Sequence, residues 1–318
     1  MKNAVLSEIN IYPVKSLGGI LLQSSMVEIR GLRFDRRWML IDENNIFISQ
    51  RKFSELALFN VMVHQNELRI FHKTGDYEEL SIPIDNSDLT QIEVTIWNDK
   101  VNAHLVGNSA DCWFSKILKI PCRLVYLPDA SIRKVDPGIS IGNDIISFAD
   151  AYPFLIIGQA SLDELNRRLK IPVPMNRFRP NFVFKKGEPF EEDNWKKFKI
   201  GPVIFYNIKP CARCIITTID QNTSEKSLEP LQTLTSFRRN GNKVLFGRNL
   251  LHEGEGQISI GDKIALIPEI HFIQKGLRYD IPITTMQYPD GTGEYKTERP
   301  NVNYISIPIT INYVFYKH

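Results

Sequence analysis

The chain has 318 residues, of which 43% are hydrophobic and 24% charged, and its formal net charge is +3. This length allows two domains of ordinary size, and the balance of residues excludes global disorder. A charge so close to zero argues against a nucleic-acid or anionic-membrane partner. The sequence has no apolar run of about 18 residues and its first residues do not resemble a secretory signal, so it predicts a cytoplasmic protein without a membrane span.

The first half of the chain has the pattern of many short strands separated by turns, which is typical of a barrel or sandwich. A helix is predicted from Asn108 or Ser109 to about Lys119, because Trp113 and Ile117 recur at helical spacing and Pro121 follows. The polar residues 43–45 predict a hairpin between two of the strands. Strands are predicted at residues 4–12, 20–29, 38–42, 46–49, 56–63, 68–72 and 92–97.

The second half mixes strands with short helices, so the predicted fold class is α+β and β-rich. Residues 128–143 have the composition of a loop between two domains. Ser161 and Glu164 have the spacing of a capping box, which predicts a helix that begins there. A second helix is predicted at 230–238 and a hairpin at 258–267. Further strands are predicted at residues 153–157, 182–184, 203–208 and 215–219.

Cys211 and Cys214 form a Cys-x-x-Cys pair, which is the most distinctive local pattern in the chain. A redox dithiol would sit where a strand meets a helix, but the β-branched residues 215–219 favour a strand after Cys214. A zinc site needs four ligands, and neither the other two cysteines nor the six histidines have suitable spacing.

On its residues alone, two interpretations of the pair are favoured over a dithiol. One is a single catalytic or metal-binding thiolate, with Lys209 and Arg213 supplying positive charge nearby. The other is a pair of buried, inert thiols. Four cysteines in 318 residues do not form a disulfide framework, so reduced thiols are expected.

Several ordered blocks of the sequence, beginning with the segment 209–220 around the cysteine pair, resemble one known family. The family is that of MOSC domains with an N-terminal MOSC β-barrel domain, and the resemblance is strongest to the mitochondrial amidoxime-reducing components and the bacterial hydroxylaminopurine-reducing proteins. It extends from about residue 4 to residue 267. The other blocks lie at residues 11–16, 31–32 and 35–40, 153–166, 176–181, 229–234 with 246–247, and 260–262.

The resemblance implies two packed domains. The first is an N-terminal β-barrel domain at residues 1–122, and the second is a MOSC β-barrel with flanking helices at 123–268. A C-terminal extension at 269–318 has no assigned role. The cofactor implied by the resemblance is the molybdenum cofactor, a pterin dithiolene that carries molybdenum and a phosphate, and it is expected between the two domains.

The resemblance also implies which residues hold this cofactor. Cys214 matches the cysteine that ligates molybdenum, since soft thiolate suits a sulfur-rich coordination sphere, while Cys211 is given no role. At Ala151 and Tyr152 the chain departs from the small hydroxyl residues common in the family. The matching cofactor-binding positions are Lys15, Ser16, Arg36, Arg179 and Asn181, whose side chains donate to oxyanions or to a pterin edge.

Taken without the resemblance, most of these residues have plainer explanations. Lys15 is then a solvated turn residue, and Arg36 and Arg37 are surface charges on a strand. Residues 179–181 form an ordinary turn. Trp38 is expected in the core rather than against a cofactor.

The reaction implied by the resemblance is the two-electron reduction of N-hydroxylated small molecules. The chain has no cysteine after Cys214, so no iron–sulfur cluster is expected in the extension. We therefore expect electrons from a separate donor protein of the ferredoxin, flavoprotein or cytochrome type, which the extension could help to dock. The alternatives are a non-enzymatic carrier of the cofactor or of sulfur, and a dithiol redox protein.

Overall fold

The computed structural model describes residues 4–85, 90–142 and 144–268 of the chain, and these form an α+β, strand-rich fold as predicted. The predicted extension at 269–318 lies outside the described residues. The described helices are α1 (Asn108–Leu118), α2 (Gln159–Asn166) and α3 (Leu231–Arg238). Short 3-10 helices occupy Ser54–Leu58, Met175–Arg177, Glu191–Asn194 and Ile215–Thr218.

The strands of the described residues fall into two runs along the chain. The first run is β1 (Val5–Ile11), β2 (Ile20–Leu22), β3 (Ser24–Glu28), β4 (Gly31–Leu32), β5 (Trp38–Ile41), β6 (Phe59–His64), β7 (Glu67–His72), β8 (Leu80–Pro83), β9 (Gln91–Ile96), β10 (Asp99–Leu105) and β11 (Arg123–Tyr126). The second run is β12 (Phe154–Gly158), β13 (Phe182–Lys185), β14 (Lys197–Ile200), β15 (Val203–Ala212), β16 (Arg239–Asn240), β17 (Lys243–Glu253), β18 (Gly256–Ser259) and β19 (Ile264–Leu266).

The largest sheet has the order β19-β14-β15-β17-β12-β13-β1-β2, with β16 paired to β17. The sheet curves until the end strand β19 and the residues before it meet the start of β1, because the Leu6 amide donates to the Asp262 carbonyl at 2.9 Å and the Ile264 amide donates to the Ala4 carbonyl at 2.9 Å. These bonds close the sheet into a barrel and pair strand edges that would otherwise be exposed. The barrel is filled by buried aromatic rings, namely Phe154, Phe182, Phe184, Phe198 and Phe205.

Three smaller sheets complete the fold, with the orders β5-β11-β10-β9, β6-β7-β8 and β18-β3-β4. Trp38, Phe59 and Phe114 pack together in a second core, where Phe114 is supplied by the buried face of α1. Trp38 is 1% exposed, which agrees with its expected place in the core. Among the described residues, no helix has the length and hydrophobicity needed to cross a membrane.

Strand pairing links the two predicted domains at three places. β1 pairs with β13, β3 pairs with β18, and β5 pairs with β11. The division at residue 122 stays a prediction. What the pairing establishes is that loops from both halves of the chain are held in one rigid hydrogen-bonded framework.

Several of the predicted elements differ from the structure. Residues 46–49, expected as a strand, form isolated β-bridges only, and the strand expected at 56–63 begins at Phe59 because Ser54–Leu58 is a 3-10 helix.

The helix expected to begin at Ser161 is α2, which begins two residues earlier at Gln159. Ser161 is inside it, and its hydroxyl donates to the buried carboxylate of Glu192 at 2.9 Å instead of capping the helix. The hairpin expected at 258–267 is absent from the described residues, because β18 pairs with β3 and β19 pairs with β14. Long-range sheet pairing overrides the local turn pattern there.

A further difference concerns the residues after Cys214. Residues 215–219 were predicted as a strand, but Ile215–Thr218 form a single turn of 3-10 helix. The Cys214 carbonyl accepts hydrogen bonds from the Thr217 amide at 3.2 Å and from the Thr217 hydroxyl at 3.0 Å. The threonine hydroxyl gives the backbone a local partner, so a β-branched run adopts a turn rather than joining a sheet.

Candidate cofactor site

A cavity of about 580 Å³ lies at one edge of the barrel and receives loops from both halves of the chain. Antiparallel pairing sets the end of β1 beside the start of β13, so the loops that follow β1 and precede β13 meet at this edge. The loop before β5 and the end of β15 complete the wall. The cavity contains every residue predicted to hold a cofactor, namely Lys15, Ser16, Arg36, Arg179, Asn181 and Cys214. Their roles towards a cofactor stay predictions.

Lys15 is buried in the wall of the cavity and is not a solvated turn residue. Its ammonium group donates to the Asp150 carboxylate at 2.6 Å and to the Phe148 carbonyl at 2.8 Å. Burial lowers the pKa of Lys15 to about 8, although Asp150 opposes the shift. Burial alone would raise the pKa of Asp150, but Lys15 and then Arg51 outweigh it and hold that pKa below its ordinary value. The pair therefore keeps a cation available in the cavity at neutral pH.

Arg36 and Arg179 stack on the same aromatic ring. Their guanidinium carbons lie 4.4 and 4.2 Å from the centroid of the Tyr12 ring. Arg179 also donates to the Leu17 carbonyl at 2.7 Å. Burial lowers the pKa of Arg179 to about 10 and raises that of Tyr12 to about 12, so Arg179 is charged and Tyr12 is neutral at pH 7. Two forked donors are thus held together, as an oxyanion such as a phosphate requires.

Asp35 and Asn181 hold Arg36 in position through a chain of hydrogen bonds. The Asp35 carboxylate accepts from Arg36, from the Tyr12 amide at 2.7 Å and from the Asn181 side chain at 3.2 Å. The Asn181 side chain also donates to the Asn10 carbonyl at 3.1 Å and accepts from the Leu155 amide at 3.2 Å. Both N–H groups of the Asn181 side-chain amide are therefore used within the protein, and this side chain holds the Asp35 carboxylate in position.

Backbone strain concentrates at this cavity. Ser16, Arg36 and Arg179 have φ values of 71°, 51° and 54°, in the left-handed region that non-glycine residues rarely adopt. Such conformations cost about 1–3 kcal/mol each and persist where the surroundings hold them in place. The strain is consistent with side chains that are positioned for a ligand.

Cys214 lies on the wall of the cavity at the N-terminus of the 3-10 turn Ile215–Thr218. The guanidinium of Arg51 donates to its sulfur at 3.5 Å. The same guanidinium lies 3.6 Å from the Asp150 carboxylate and 4.7 Å from the centroid of the Trp97 ring. A held cation beside the sulfur complements the negative charge of a ligating thiolate.

Arg213 was expected to supply charge near the cysteine pair, and it contacts the other cysteine. Its guanidinium donates to the Cys211 sulfur at 3.0 Å and to the Phe178 carbonyl at 2.7 Å. Lys209, the other expected cation, lies over the Tyr152 ring at 4.8 Å. Cys211 is also on the cavity wall, at the end of β15. Since a helical turn does follow Cys214, the predicted strand at 215–219 no longer argues against a dithiol.

Arg51 and Asp150 are functional candidates that the sequence did not reveal. Both contact residues that are distant in the chain: Arg51 contacts Cys214, and Asp150 contacts Lys15. Gln50, next to Arg51, is fully buried and donates to the Ser16 carbonyl at 2.6 Å. No spacing or local composition marks these positions, because each contact is created by tertiary packing.

The side chains around the cavity suit a metal cofactor in which the cofactor itself supplies most of the ligands to the metal. The described part of the chain contains no group of three or more histidine, cysteine, aspartate or glutamate side chains that could hold a metal ion. It does contain one cavity with a cysteine sulfur on its wall and three cations, Lys15, Arg36 and Arg179, that suit anionic groups. A pterin dithiolene with a phosphate has this character, since its metal needs one more sulfur and its phosphate needs cations.

The fold and the cavity define a β-barrel protein with a cationic cavity that has a cysteine sulfur on its wall. Residues 143–265 match the family model of the MOSC domain, and residues 3–121 match that of the MOSC N-terminal beta barrel domain. The chain belongs to this family of MOSC-domain proteins, whose relatives include the mitochondrial amidoxime-reducing components.

Three relatives illustrate the similarity. The chain is 32% identical to human mitochondrial amidoxime reducing component 2, covering 80% of this chain and 81% of that protein. It is 30% identical to human mitochondrial amidoxime-reducing component 1, covering 82% of each. It is 31% identical to a rice molybdenum cofactor sulfurase, covering 80% of this chain. The chain spans 34% of that sulfurase, so it corresponds to only about a third of such proteins.

Proposed function

We propose that this protein binds the molybdenum cofactor through Cys214 and reduces N-hydroxylated small molecules with electrons from a separate donor protein. The observation that carries the proposal is that Cys214 shares one cavity with Lys15, Arg36 and Arg179. A sulfur ligand for a metal and cations for a phosphate are the two requirements of this cofactor. The names of the relatives support the same assignment, since they refer to amidoxime reduction and to the molybdenum cofactor.

The proposed reaction balances for a hydroxylamine as R–NHOH + 2 e⁻ + 2 H⁺ → R–NH₂ + H₂O. The N–O bond breaks, the oxygen leaves as water, and the nitrogen receives the electron pair. Amidoximes react in the same way to give amidines. The cofactor, when bound, supplies the two-electron redox chemistry.

The chain's own residues bind and orient the reactants. Lys15, Arg36 and Arg179 hold anionic groups of the cofactor, and Asp35 with Asn181 keeps Arg36 in position. Cys214 provides the sulfur, and Arg51 balances its charge. The Lys15 ammonium holds its proton at the cavity wall, 2.6 Å from the Asp150 carboxylate. It is a candidate proton donor to a substrate in the cavity.

Protein produced in a host that makes the molybdenum cofactor tests the proposal. We expect about one molybdenum and one pterin per chain in the wild type, and a large loss of molybdenum in Cys214→Ala. The matched control is Cys211→Ala, which removes the neighbouring thiol and should keep the metal. Wild-type protein with a reduced dye donor should convert benzamidoxime to benzamidine, and Cys214→Ala should not.

The outcomes separate this function from its alternatives. Molybdenum that binds equally well to Cys214→Ala would overturn the assignment of the ligand. A loaded protein that reduces no hydroxylamine or amidoxime would instead be a cofactor carrier. Full activity without molybdenum, lost in either cysteine variant, would identify a dithiol enzyme.

A further inference from the structure

The Cys214 turn, which consists of Cys214 and the 3-10 helix Ile215–Thr218, has little internal support. Its backbone hydrogen bonds run from the Thr217 amide to the Cys214 carbonyl and from the Ile219 amide to the Ile216 carbonyl, both at 3.2 Å. A single helical turn is only marginally stable in water, because so few hydrogen bonds do not offset the entropy lost on ordering it. The position of the Cys214 sulfur therefore depends on contacts at the two ends of the turn.

Arg213 fastens the start of the Cys214 turn. Its amide donates to the Val244 carbonyl at 2.7 Å, which ties it to β17 of the barrel. Its guanidinium donates to the Phe178 carbonyl at 2.7 Å. The start of the turn is thus held both by the barrel and by the loop before β13, which is the loop that carries Arg179.

Arg177 fastens the end of the Cys214 turn from the same loop. Its guanidinium donates to the Asp220 carboxylate at 2.6 Å, and Asp220 follows the turn by two residues. The other oxygen of this carboxylate accepts from the Asn222 amide at 2.8 Å and from the Thr223 amide at 3.1 Å, so the carboxylate is itself held in place. Both ends of the turn are therefore bound to adjacent residues, 177 and 178, of one loop.

A second contact connects the end of the Cys214 turn to the first half of the chain. Gln221, next to Asp220, exchanges side-chain hydrogen bonds with the buried Gln50 at 3.3 and 3.2 Å. Gln50 also donates to the Ser16 carbonyl at 2.6 Å. The segment 220–221 therefore joins the turn to the loop that carries Ser16 as well as to the loop before β13.

The ion pair between Arg177 and Asp220 is largely buried. The Arg177 side chain is 10% exposed and the Asp220 side chain is 34% exposed. Within the described residues Asp220 is the acceptor for Arg177, whose Nε and Nη1 atoms are buried without a hydrogen-bond partner. Desolvation offsets much of the attraction in such a pair, so its net contribution to stability is small. The more specific effect of the pair is to fix the distance between two segments of the site.

We infer that Arg177 is a positioning residue for the cofactor, because its ion pair with Asp220 holds the Cys214 sulfur in place relative to Arg179. The inference rests on the proposed function and adds to it a residue that does not line the cavity. A functional side chain must be held to within roughly 0.5 Å of its working position. Loss of a contact behind Cys214 therefore weakens cofactor binding, although every group that touches the cofactor is kept.

The test compares Arg177→Gln with Arg238→Gln, both as cofactor-loaded full chains. Arg238 is the matched control, because it forms a similarly buried ion pair with Asp193 and does not line the cavity. Each variant loses one ion pair, so the free energies of unfolding, measured with urea, should fall by similar amounts. The rate of molybdenum release during dialysis should rise about tenfold in Arg177→Gln and stay unchanged in Arg238→Gln. Arg177→Lys, which keeps the cation, should release the metal more slowly than Arg177→Gln.

Hydrogen exchange of the cofactor-free protein gives a second readout, which needs no bound metal. The Thr217 and Ile219 amides should exchange about tenfold faster in Arg177→Gln, because the turn opens more often, and at the wild-type rate in Arg238→Gln.

The outcomes separate this inference from the proposed function. Metal release or amide exchange at the wild-type rate in Arg177→Gln would overturn the role of Arg177 and leave the proposed function intact. Equal metal loss in Arg177→Gln and Arg238→Gln would also overturn it, since a general loss of stability would then be the cause. A wild type that binds no molybdenum would overturn the proposed function instead. Faster exchange confined to Arg177→Gln would still identify Arg177 as the residue that holds the Cys214 turn.

Discussion

The guanidinium of Arg51 lies 3.5 Å from the sulfur of Cys214, although the two residues are 163 positions apart in the chain. Arg51 is also held by the Asp150 carboxylate at 3.6 Å and by the face of Trp97 at 4.7 Å. The two contacts fix the guanidinium in front of the sulfur. This relationship gives the cysteine a charge partner that the residues around it do not supply.

Arg51→Met should weaken retention of the cofactor about tenfold, since it removes one partly exposed charge-assisted hydrogen bond worth roughly 1.4 kcal/mol. The measurement is the molybdenum remaining per chain during dialysis at low ionic strength. Lys52→Met is the control, because Lys52 is an exposed neighbour that does not line the cavity. Equal loss from the wild type and Arg51→Met would show that the Arg51 contact has no part in holding the metal.

Cofactor affinity should fall as the pH is raised above about 8. The pKa of Lys15 is lowered to about 8 by burial, so its ammonium is charged below that pH and loses its proton above it. A bound anion favours the charged form, and the affinity therefore decreases up to tenfold per pH unit until the pKa of the complex is reached. Cofactor dissociation measured from pH 7 to 9.5 checks this.

Lys15→Met is the matched variant for the pH experiment. It should bind the cofactor more weakly at pH 7, and its cofactor affinity should no longer fall as the pH passes 8. An equal fall in cofactor affinity in Lys15→Met would show that another group is responsible for the pH dependence.

Asn181→Ala should lower the free energy of unfolding of the cofactor-free protein by about 1–3 kcal/mol, because the buried Asp35 carboxylate, the Asn10 carbonyl and the Leu155 amide each lose a hydrogen bond to this side chain. Urea unfolding followed by circular dichroism measures the change. The control is Asn176→Ala, since Asn176 is exposed. If Asn181→Ala has the same free energy of unfolding as the wild type, the Asn181 side chain does not stabilise the fold and its role is in binding the ligand.

Glu192 should make the protein less stable as the pH rises from the acid range towards neutrality. The carboxylate is buried and accepts from the Gly158 amide at 3.1 Å and from the Ser161 hydroxyl at 2.9 Å, and burial raises its pKa above the ordinary 4.5. The folded state then binds more protons than the unfolded state above pH 4.5, so stability decreases through that window until the raised pKa is passed. Urea unfolding at pH 5 and pH 7 measures the slope.

Glu192→Gln is the matched variant for this slope, because it keeps the size of the side chain and one acceptor oxygen. The stability difference between pH 5 and pH 7 should shrink, so that at pH 7 the variant keeps more of its pH 5 stability than the wild type does. A pH dependence identical to that of the wild type would show that Glu192 does not titrate in this range.

Several elements could be predicted because their signals are local. The helix at α1 follows from apolar spacing and a following proline, and α3 follows from a proline at its start. The hairpin expected at 258–267 was wrong because turn patterns report local preference, whereas β18 and β19 pair with strands far away in the chain. The strand expected after Cys214 was wrong for a local reason, since the Thr217 hydroxyl donates to the Cys214 carbonyl and stabilises a turn.

The sequence by itself determined the strand-rich fold class, the family, and the loops that carry Lys15, Arg36, Arg179 and Cys214. These features could be predicted because hydrophobic periodicity and family sequence blocks are formed by residues close together in the chain. Only the tertiary structure decided that these loops share one cavity, that Arg51 and not Arg213 faces the Cys214 sulfur, and that Lys15 is paired with Asp150. Barrel closure brings these groups together, and no local pattern encodes a contact between residues more than a hundred positions apart.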